Sequence, residues 1–427
     1  MRRLIILTSI ILLLISPKLK GQEIVTLVQC FERAESNHAL TSVNENYEAI
    51  FNISSQILRT AWYPGADLAG TYIYNSDVIE MGGPFPSMPR DQYKVTAEIS
   101  QLIYDGGLAR ESRRYDEAGK VLNQQKNEVE IYRIRERVIA TYFAIILLEK
   151  QHELLGSFIQ TTDARLEAAN TAIQNGLLTP ADRDILLASK LQMEQQRTGN
   201  GILSLSLRQL MGSITGIKIT PSTIFVLPEP GPVAESGASS KEEVLLRPEL
   251  KLYDLTASQL DANEALISTR RLPKARGFAT LGYGNPPGSN FFKNSFEPYF
   301  IVGASLNWNI FDWNKTKKER EIIALRKEIV SSGKSDTEQN IRRQLDTKLA
   351  EIESLRTLIK TGTELLALRE RITASVQFKL DNGTMTASDY LAEVNPAHEA
   401  AINLEIHRVN LLKAEAEFNY LRGTENK

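Results

Sequence analysis

The dominant pattern in the sequence is an apolar repeat at steps of three and four residues between Leu108 and Gln174. This spacing places apolar side chains on one stripe of a helix and is typical of a coiled-coil seam. At about 1.5 Å per residue, a helix over these 67 residues would be roughly 100 Å long. The stripe consists of Ile131, Ile134, Val138, Tyr142, Ile145, Leu155, Phe158, Thr162, Leu166, Ala169 and Ile173.

A second pattern, the alternation of apolar and polar residues, lies before this predicted long helix and recurs later in the chain. It predicts one strand pair at about 66–103 and another at about 275–310, each joined by a loop rich in Pro and Gly. In the last strand, predicted over Tyr299–Ile310, every second residue from Phe300 onward is apolar. Strands of about 10 residues with one apolar face have the length that crosses an outer membrane. Ordinary hairpins of a soluble domain are the alternative.

The two halves of the chain share these patterns at a nearly constant offset, which predicts a tandem duplication. The first repeat covers 23–212 and the second 241–423. In the second repeat the apolar spacing of the long helix returns from Ile341 to Val376. Between them, 213–240 is a linker rich in Pro, Gly and Ser, and 424–427 form a tail. The offset is 207 for Asp105 with Asp312 and for Gly176 with Gly383, 209 for Pro64 with Pro273, and 211 for Gly212 with Gly423.

The N-terminus and the composition narrow the class of protein. Arg2 and Arg3 precede the apolar run Leu4–Ile15, which is too short to span a bilayer as a helix, so residues 1–22 are predicted to be a signal peptide. Cys30 is the only cysteine, which excludes an intrachain disulfide. With 50 Lys and Arg against 52 Asp and Glu, the chain has no basic excess for binding nucleic acid.

Four membrane strands in one chain cannot close a barrel, and open strand edges are not stable in lipid. The barrel must then be shared between subunits. Two subunits would supply eight strands, which leave an interior filled by side chains, so a conducting duct favours three subunits, with twelve strands, or more. The fold class expected is mainly α with a small β part, in which tandemly duplicated coiled-coil hairpins accompany four membrane strands.

The order of several motifs resembles the TolC-like outer-membrane efflux protein family over essentially the whole mature chain. The resemblance implies a homotrimer with a 12-stranded barrel in the outer membrane of a Gram-negative bacterium and a helical tunnel extending into the periplasm. It also implies a passive exit duct of a tripartite efflux or type I secretion system, served by a periplasmic adaptor and an inner-membrane pump of RND or ABC type. The motifs are Thr26-Leu27 with Ala34, Pro64, Ser100–Gly107, Asn175–Asp182, Leu207–Gly212 and Asn382–Asp389.

The two predicted hairpin tips, near 175–182 and 382–389, carry the most informative local chemistry. Each has a glycine that can end a helix and an aspartate six positions later that can cap the return helix. The resemblance also implies that Asp389, with Glu393 nearby, forms an acidic ring at the pore entrance, and that the tips dock the adaptor. This sequence departs from the family pattern at the gate, the residues of the second hairpin that close the pore entrance in the family. At those positions it has Leu380, Met385 and Ala392. The tip residues are Asn175, Gly176, Thr179, Asp182, Asn382, Gly383 and Thr386.

No pattern indicates an enzyme or a cofactor. The four histidines have no metal-binding spacing and are interpreted as solvated or incidental, and glycine-rich phosphate loops are absent. Aromatic residues in and near the strands are predicted to lie at the membrane interfaces, namely Tyr72, Tyr74, Tyr93, Tyr299 and Trp308. A periplasmic coiled-coil adaptor or scaffold is the alternative function, although an adaptor would carry one helical hairpin and more strands.

Overall fold

The structure is a computed structural model that describes residues 24–78, 87–229, 245–291 and 293–423. The predicted signal peptide, the predicted linker from residue 230 onward and the tail at 424–427 lie outside the described residues. Among the helices in the described ranges, none combines the length and the hydrophobicity needed to cross a membrane.

Seven α-helices account for most of the described chain, and two of them have 67 residues each. The two long helices predicted from the apolar spacing are therefore continuous. Short 3-10 segments precede the second helix and follow the fifth. The helices are α1 (Leu27–Asn37), α2 (Val43–Thr60), α3 (Leu108–Gln174), α4 (Pro180–Thr215), α5 (Pro248–Ser268), α6 (Lys315–Asp381) and α7 (Ala387–Arg422).

The strands form two sheets, and the larger has four antiparallel strands in the order β2-β3-β5-β6. The predicted fold class, mainly helical with a small sheet, is confirmed. The last strand ends three residues before Ile310, because the Ile310 N–H turns back to the Trp308 carbonyl at 3.1 Å. The strands are β1 (Ile24–Val25), β2 (Gly65–Tyr74), β3 (Asp91–Tyr104), β4 (Ile224–Phe225), β5 (Lys274–Asn285) and β6 (Glu297–Asn307).

The chain divides into two compact units that cut across the sequence repeats. Unit 1 holds the chain up to Thr41, Glu130–Arg247 and the part from Glu338 onward, and unit 2 holds Ser42–Val129 and Pro248–Thr337. Each repeat thus contributes to both units. The two long helices α3 and α6 also contribute residues to both.

The core of unit 1 surrounds the fully buried Tyr142 on α3. Its hydroxyl donates to the carbonyls of Val25 and Val226 at 3.0 and 2.6 Å. Val25 belongs to β1 and Val226 directly follows β4, and these two strands form the short parallel pair. Residues 224–225, which were predicted to belong to the linker, are therefore strand residues beside this core.

In unit 2, four helical segments lie side by side in the order α2, α3, α5, α6. Glu48 of α2 pairs with Lys120 of α3 at 2.9 Å. Gln125 of α3 donates to the carbonyl of Pro248, the first residue of α5, at 3.0 Å. Lys334 of α6 pairs with Asp254 of α5. Within this unit the helices α2 and α6 are the outer members of the row.

Candidate functional site

The turn between α3 and α4 is built by local backbone chemistry. Gly176 has a φ of 72°, in the left-handed region that glycine adopts without strain. Its N–H donates to Ile173 and the N–H of Leu177 donates to Ala172, at 3.0 and 2.9 Å. These bonds satisfy the last carbonyls of α3. Asn175 just before the glycine still donates to the α3 carbonyl of Thr171 at 3.2 Å.

The same chemistry begins the return helix α4. The Thr179 hydroxyl accepts from the N–H of Asp182 at 3.3 Å, and the Asp182 carboxylate accepts from the N–H and the hydroxyl of Thr179 at 3.0 and 2.7 Å. This reciprocal capping box satisfies amides that have no partner inside the helix.

The turn between α6 and α7 repeats this design with one difference. Gly383 has a φ of 66°, and its N–H donates to Leu380 at 3.0 Å. The side-chain amide of Asn382 donates to the Phe378 carbonyl at 2.8 Å. Thr386 caps α7 by accepting from the N–H of Asp389 at 3.1 Å, and its hydroxyl donates to the Asp389 carboxylate at 2.8 Å. Asp389 makes no bond to the Thr386 N–H, so the capping box is incomplete.

Asp182 also connects the two turns. Its second carboxylate oxygen accepts from the N–H of Ala387, the first residue of α7, at 3.0 Å. The bond from the Thr179 hydroxyl and the bonds from the two backbone amides hold the pKa of Asp182 below its usual value. One carboxylate therefore caps both return helices.

A salt bridge and a small apolar core join the same two hairpins. Arg165 on α3 donates to both carboxylate oxygens of Asp381 at 2.8 and 3.1 Å. Beneath the turns, Leu380 is buried and Met385 packs against the same core. Leu380 and Met385, two of the three residues that depart from the family pattern at the gate, are therefore packing residues, whereas Ala392 is exposed. The core consists of Ala169, Leu186, Val376, Leu380, Ala387, Tyr390 and Val394.

The two residues predicted to lie at the pore entrance are in different environments. Asp389 is exposed, and its carboxylate is engaged by Thr386. Glu393, one helical turn further along α7, forms an ion pair with Arg369 at 3.5 Å. Asp389 is thus the better candidate for an acidic group open to the solvent.

The sheet of unit 2 has one apolar and one polar face. Leu68, Ala97, Leu281 and Phe300 are directly aligned across β2, β3, β5 and β6. Because facing residues of antiparallel strands point the same way, all four lie on one face. We call this side the apolar face. Its large members are 54% to 78% exposed, namely Leu68, Val95, Ile99, Leu281, Phe300, Val302 and Leu306.

A row of aromatic rings borders the apolar face at the loop end of the strands. The ring of Tyr93 lies 5.0 Å from that of Tyr72 and 5.9 Å from that of Phe296, and the rings of Phe296 and Tyr283 are 6.1 Å apart. Tyr74 continues the same face two residues beyond Tyr72. Amphipathic rings at one edge of an exposed apolar surface are typical of a membrane interface.

Two of the predicted interface aromatics lie elsewhere. Tyr299 is opposite Gly282 in the register, on the polar face together with Glu98 and Thr280, and its ring packs over Gly282. Trp308 follows β6, and its indole N–H donates to the carbonyl of Arg271 at 3.0 Å. The Tyr299 side chain therefore points away from the aromatic row, and the interface positions of Tyr299 and Trp308 stay predictions.

One of the four histidines, which the sequence indicated to be solvated or incidental, is a packing residue. The ring of His398 stacks on Phe158 with centroids 3.7 Å apart, and burial lowers the pKa of His398 to about 4. It is a neutral packing residue at neutral pH. Within the described ranges, no three His, Cys, Asp or Glu side chains are grouped as metal ligands would be.

No protein-family model matches the sequence, and no curated protein matches it. Solved structures nevertheless match its fold. CusC, from a study of transmembrane channel formation, aligns with a TM-score of 0.72 and 12% identity over 93% of this chain and 92% of its own. The CmeC outer membrane channel of Campylobacter jejuni aligns with a TM-score of 0.65 and 14% identity, over 93% and 85%.

The MtrE outer membrane channel of Neisseria gonorrhoeae, in its open state, aligns with a TM-score of 0.66 and 16% identity, over 93% of this chain and 89% of its own. This chain has the outer-membrane channel fold. The expected resemblance to TolC-like channels is thereby confirmed at the level of the fold. The outer-membrane channel fold extends over nearly the whole chain, including both hairpins and the sheet.

Two contacts at the tips of this outer-membrane channel fold were not found from the sequence. They are the bond from Asp182 to Ala387 and the salt bridge from Arg165 to Asp381. The partners are 205 and 216 residues apart in the chain. The duplication was the available signal, because equivalent turns of two repeats are candidates for contact, but it does not identify the bonding atoms.

Proposed function

We propose that this chain is one subunit of a homotrimeric channel in the outer membrane of a Gram-negative bacterium. The channel extends into the periplasm and is a passive exit duct for substrates delivered by an inner-membrane pump and a periplasmic adaptor. Channel proteins with this fold, such as CmeC and MtrE, are described as outer membrane channels.

The observation that carries the proposal is the four-stranded sheet with its exposed apolar face. Its strands have 10, 14, 12 and 11 residues, and a tilted strand needs about 9 to 11 to cross a membrane. The outer strands β2 and β6 each pair on one side only within the described chain. Unpaired amides in lipid cost several kcal/mol each, so further copies must complete the barrel. Three copies provide twelve strands.

The outer helices of unit 2 support closure by copies of the same chain. On α2, Ile50, Ile53 and Ile57 form a stripe at i, i+3 and i+7, with exposed fractions of 58%, 57% and 62%. The stripe faces away from the side of α2 that contacts α3, where Glu48 and Phe51 lie. Apolar residues at this spacing form coiled-coil seams.

The outer helix α6 has the matching stripe. Ile322, Leu325 and Ile329 have the same spacing and exposed fractions of 49%, 58% and 70%. They lie opposite the side that contacts α5 through Lys327 and Lys334. The stripe on α6 of one copy therefore fits the stripe on α2 of the next, a head-to-tail contact that closes a ring.

The hairpin tips are the proposed periplasmic end. Asp389 and Glu393 are proposed to lie at the pore entrance, where three copies bring like charges together. The exposed backbone of the two turns is the proposed docking surface for the adaptor, and a pump of RND or ABC type is its expected partner. The tip residues proposed for docking are Asn175, Gly176, Thr179, Asp182, Asn382, Gly383 and Thr386.

The exposed apolar face also separates this proposal from that of a periplasmic adaptor or scaffold. A soluble protein rarely exposes so large a contiguous apolar surface. The test is extraction and mass. The protein should fractionate with the outer membrane and elute from detergent at about three times the mass of the mature chain, whose full-length form is 47.9 kDa. A soluble periplasmic monomer would contradict the proposal.

A further inference from the structure

The junction between β6 and α6 keeps a tryptophan in a strained backbone conformation. Trp313 and Asn314 have φ values of 52° and 59°, in the left-handed region that bulky residues rarely adopt. The matching positions of the first repeat, 207 residues earlier, are Gly106 and Gly107, with φ values of 71° and 80°. Glycine adopts this region without steric cost. The second repeat thus retains a tryptophan where the first has glycine.

Local hydrogen bonds fix this backbone conformation, and the Trp313 ring remains exposed to solvent. The Asp312 carboxylate accepts from the N–H of Thr316 at 3.0 Å and from its hydroxyl, which caps the first turn of α6. The Trp313 side chain is 82% exposed and Phe311 is 67% exposed, and their rings meet edge to face at 4.9 Å. Strain that packing does not explain points to a role outside the chain itself.

A cluster of unpaired lysines follows this aromatic pair. Lys315, Lys317 and Lys318 are exposed, and none has an ion pair with the described part of the chain. The first turn of α6 has no acidic residue. Cations there oppose the positive end of the helix dipole, so they do not stabilise the helix. The charge is available for an external anion.

Beside the lysines is a groove of 580 Å³ that is lined in part by Arg271, Lys317 and Arg320. Glu264 also lines it, but its carboxylate is engaged by Arg320 and Lys327. Glu321 lines the groove as well, so the charged groups of its lining are three cations, Arg271, Lys317 and Arg320, and two carboxylates.

We propose that Phe311, Trp313, Lys317 and Lys318 anchor the chain at the periplasmic surface of the outer membrane by binding anionic phospholipid. This deepens the proposed function and rests on it. The apolar face ends at Leu306, and the aromatic pair follows at Phe311, at the end of the sheet where α6 begins. Aromatic rings prefer the headgroup region, and nearby lysines attract anionic lipid.

The test uses a variant in which Trp313 is the only tryptophan, made by Trp62→Phe and Trp308→Phe. The full channel is reconstituted into vesicles of phosphatidylethanolamine and phosphatidylglycerol, with bromine near the headgroup end or deep in the acyl chains of either lipid. Trp313 fluorescence should be quenched more by shallow than by deep bromine. A control with Phe378→Trp at the hairpin tip and Trp62, Trp308 and Trp313 replaced by Phe should not be quenched.

The lysines are tested in the same single-tryptophan background. Brominated phosphatidylglycerol should quench Trp313 better than brominated phosphatidylethanolamine, and Lys317→Gln with Lys318→Gln should lower this preference about fivefold. Lys360→Gln with Lys379→Gln, far along α6, should leave it unchanged. Trimers that insert but show no quenching, or an unchanged lipid preference, would overturn the anchor while the channel proposal stands. Failure to insert at all would overturn both.

Discussion

The carboxylate of Asp182 accepts a hydrogen bond from the backbone N–H of Ala387 at 3.0 Å, which joins the tips of the two hairpins. The family resemblance placed Asp182 only at its own turn. In the structure it caps α4 through Thr179 and α7 through Ala387 at once. With the salt bridge between Arg165 and Asp381, it forms the polar contact between the hairpins at their tips.

Asp182→Ala should loosen the attachment of the two tips. A hydrogen bond to a charged acceptor contributes about 1.5 to 3 kcal/mol, less where water competes. We therefore expect the Ala387 amide to exchange with deuterium about fivefold to tenfold faster in the variant. Asp389→Ala is the matched control, because Asp389 caps only α7 through Thr386. Equal exchange at Ala387 in both variants would show that the contact between hairpins is not formed.

The same contact should depend on pH. The pKa of Asp182 is lowered from a usual value of 3.8 by the Thr179 hydroxyl and then by the Ala387 amide. Because the folded pKa is the lower one, the stabilisation is complete above the unfolded value and is lost as the pH falls through the folded value. The difference in melting temperature between the native chain and Asp182→Asn should be constant from pH 7 to about 4 and should shrink below that. A difference that already changes near pH 6 would assign the effect to another group.

Single substitutions on the two faces of the sheet should show which face contacts lipid and which faces the lumen of the channel. Val302→Arg places a charge on the apolar face and should cost about 2 to 4 kcal/mol near mid-membrane. Ile301→Arg, one residue away at the same depth, lies on the polar face opposite Thr280 and should be tolerated. Urea unfolding of the vesicle-inserted protein measures both. Equal losses of unfolding free energy in the two variants would contradict the assignment of the apolar face to lipid and the polar face to the lumen.

The stripes on α2 and α6 predict a crosslink between copies. Because α2 leads into the sheet and α6 leaves it, the helices meet antiparallel, and Ile53 should face Leu325 of the neighbouring copy. Ile53→Cys with Leu325→Cys should form a disulfide on oxidation and give covalent dimers and trimers on a denaturing gel. Native Cys30 does not compete, because it is buried and its pKa is raised to about 12.

The control pairs Ile53→Cys with Lys334→Cys, whose native side chain points toward α5 within the chain. This pair should stay monomeric on the gel. Crosslinking of both pairs, or of neither, would mean that the two stripes do not form the contact between copies.

Local chemistry explains why much of the fold was predictable. Gly176 and Gly383 end helices because glycine alone adopts the left-handed region freely, and Thr179 and Thr386 cap because their hydroxyls reach amides three residues away. The alternation of β6 likewise predicted its apolar face. It also contained the information that Tyr299, an odd-numbered neighbour of Phe300, points to the other side.

Contacts between distant segments were not predictable, because periodicity reports which face of a helix is apolar and not which helix covers it. The salt bridge of Arg165 with Asp381 is one case. The hydrogen bond from the Trp308 indole N–H to the carbonyl of Arg271, 37 residues earlier in the chain, is another.

The last prediction distinguishes two roles of Asp389 at the proposed pore entrance, a negative charge in the pore and a helix cap. Asp389 is exposed, whereas Glu393 is paired with Arg369, so Asp389 should supply most of the negative potential when three copies converge. Asp389→Asn keeps the size and much of the capping ability of the side chain while it removes three charges per trimer. Single-channel recordings should show lower cation selectivity and weaker block by multivalent cations applied from the periplasmic side, with little change in trimer stability.

Glu393→Gln is the matched charge variant for this experiment. Because the Glu393 carboxylate is already paired with Arg369, its removal should lower selectivity less than Asp389→Asn does. If Asp389→Asn instead leaves selectivity and block unchanged but lowers the melting temperature of the trimer, Asp389 acts as a helix cap through Thr386 and not as a pore charge. A larger loss of selectivity from Glu393→Gln would place the acidic ring one helical turn further along α7.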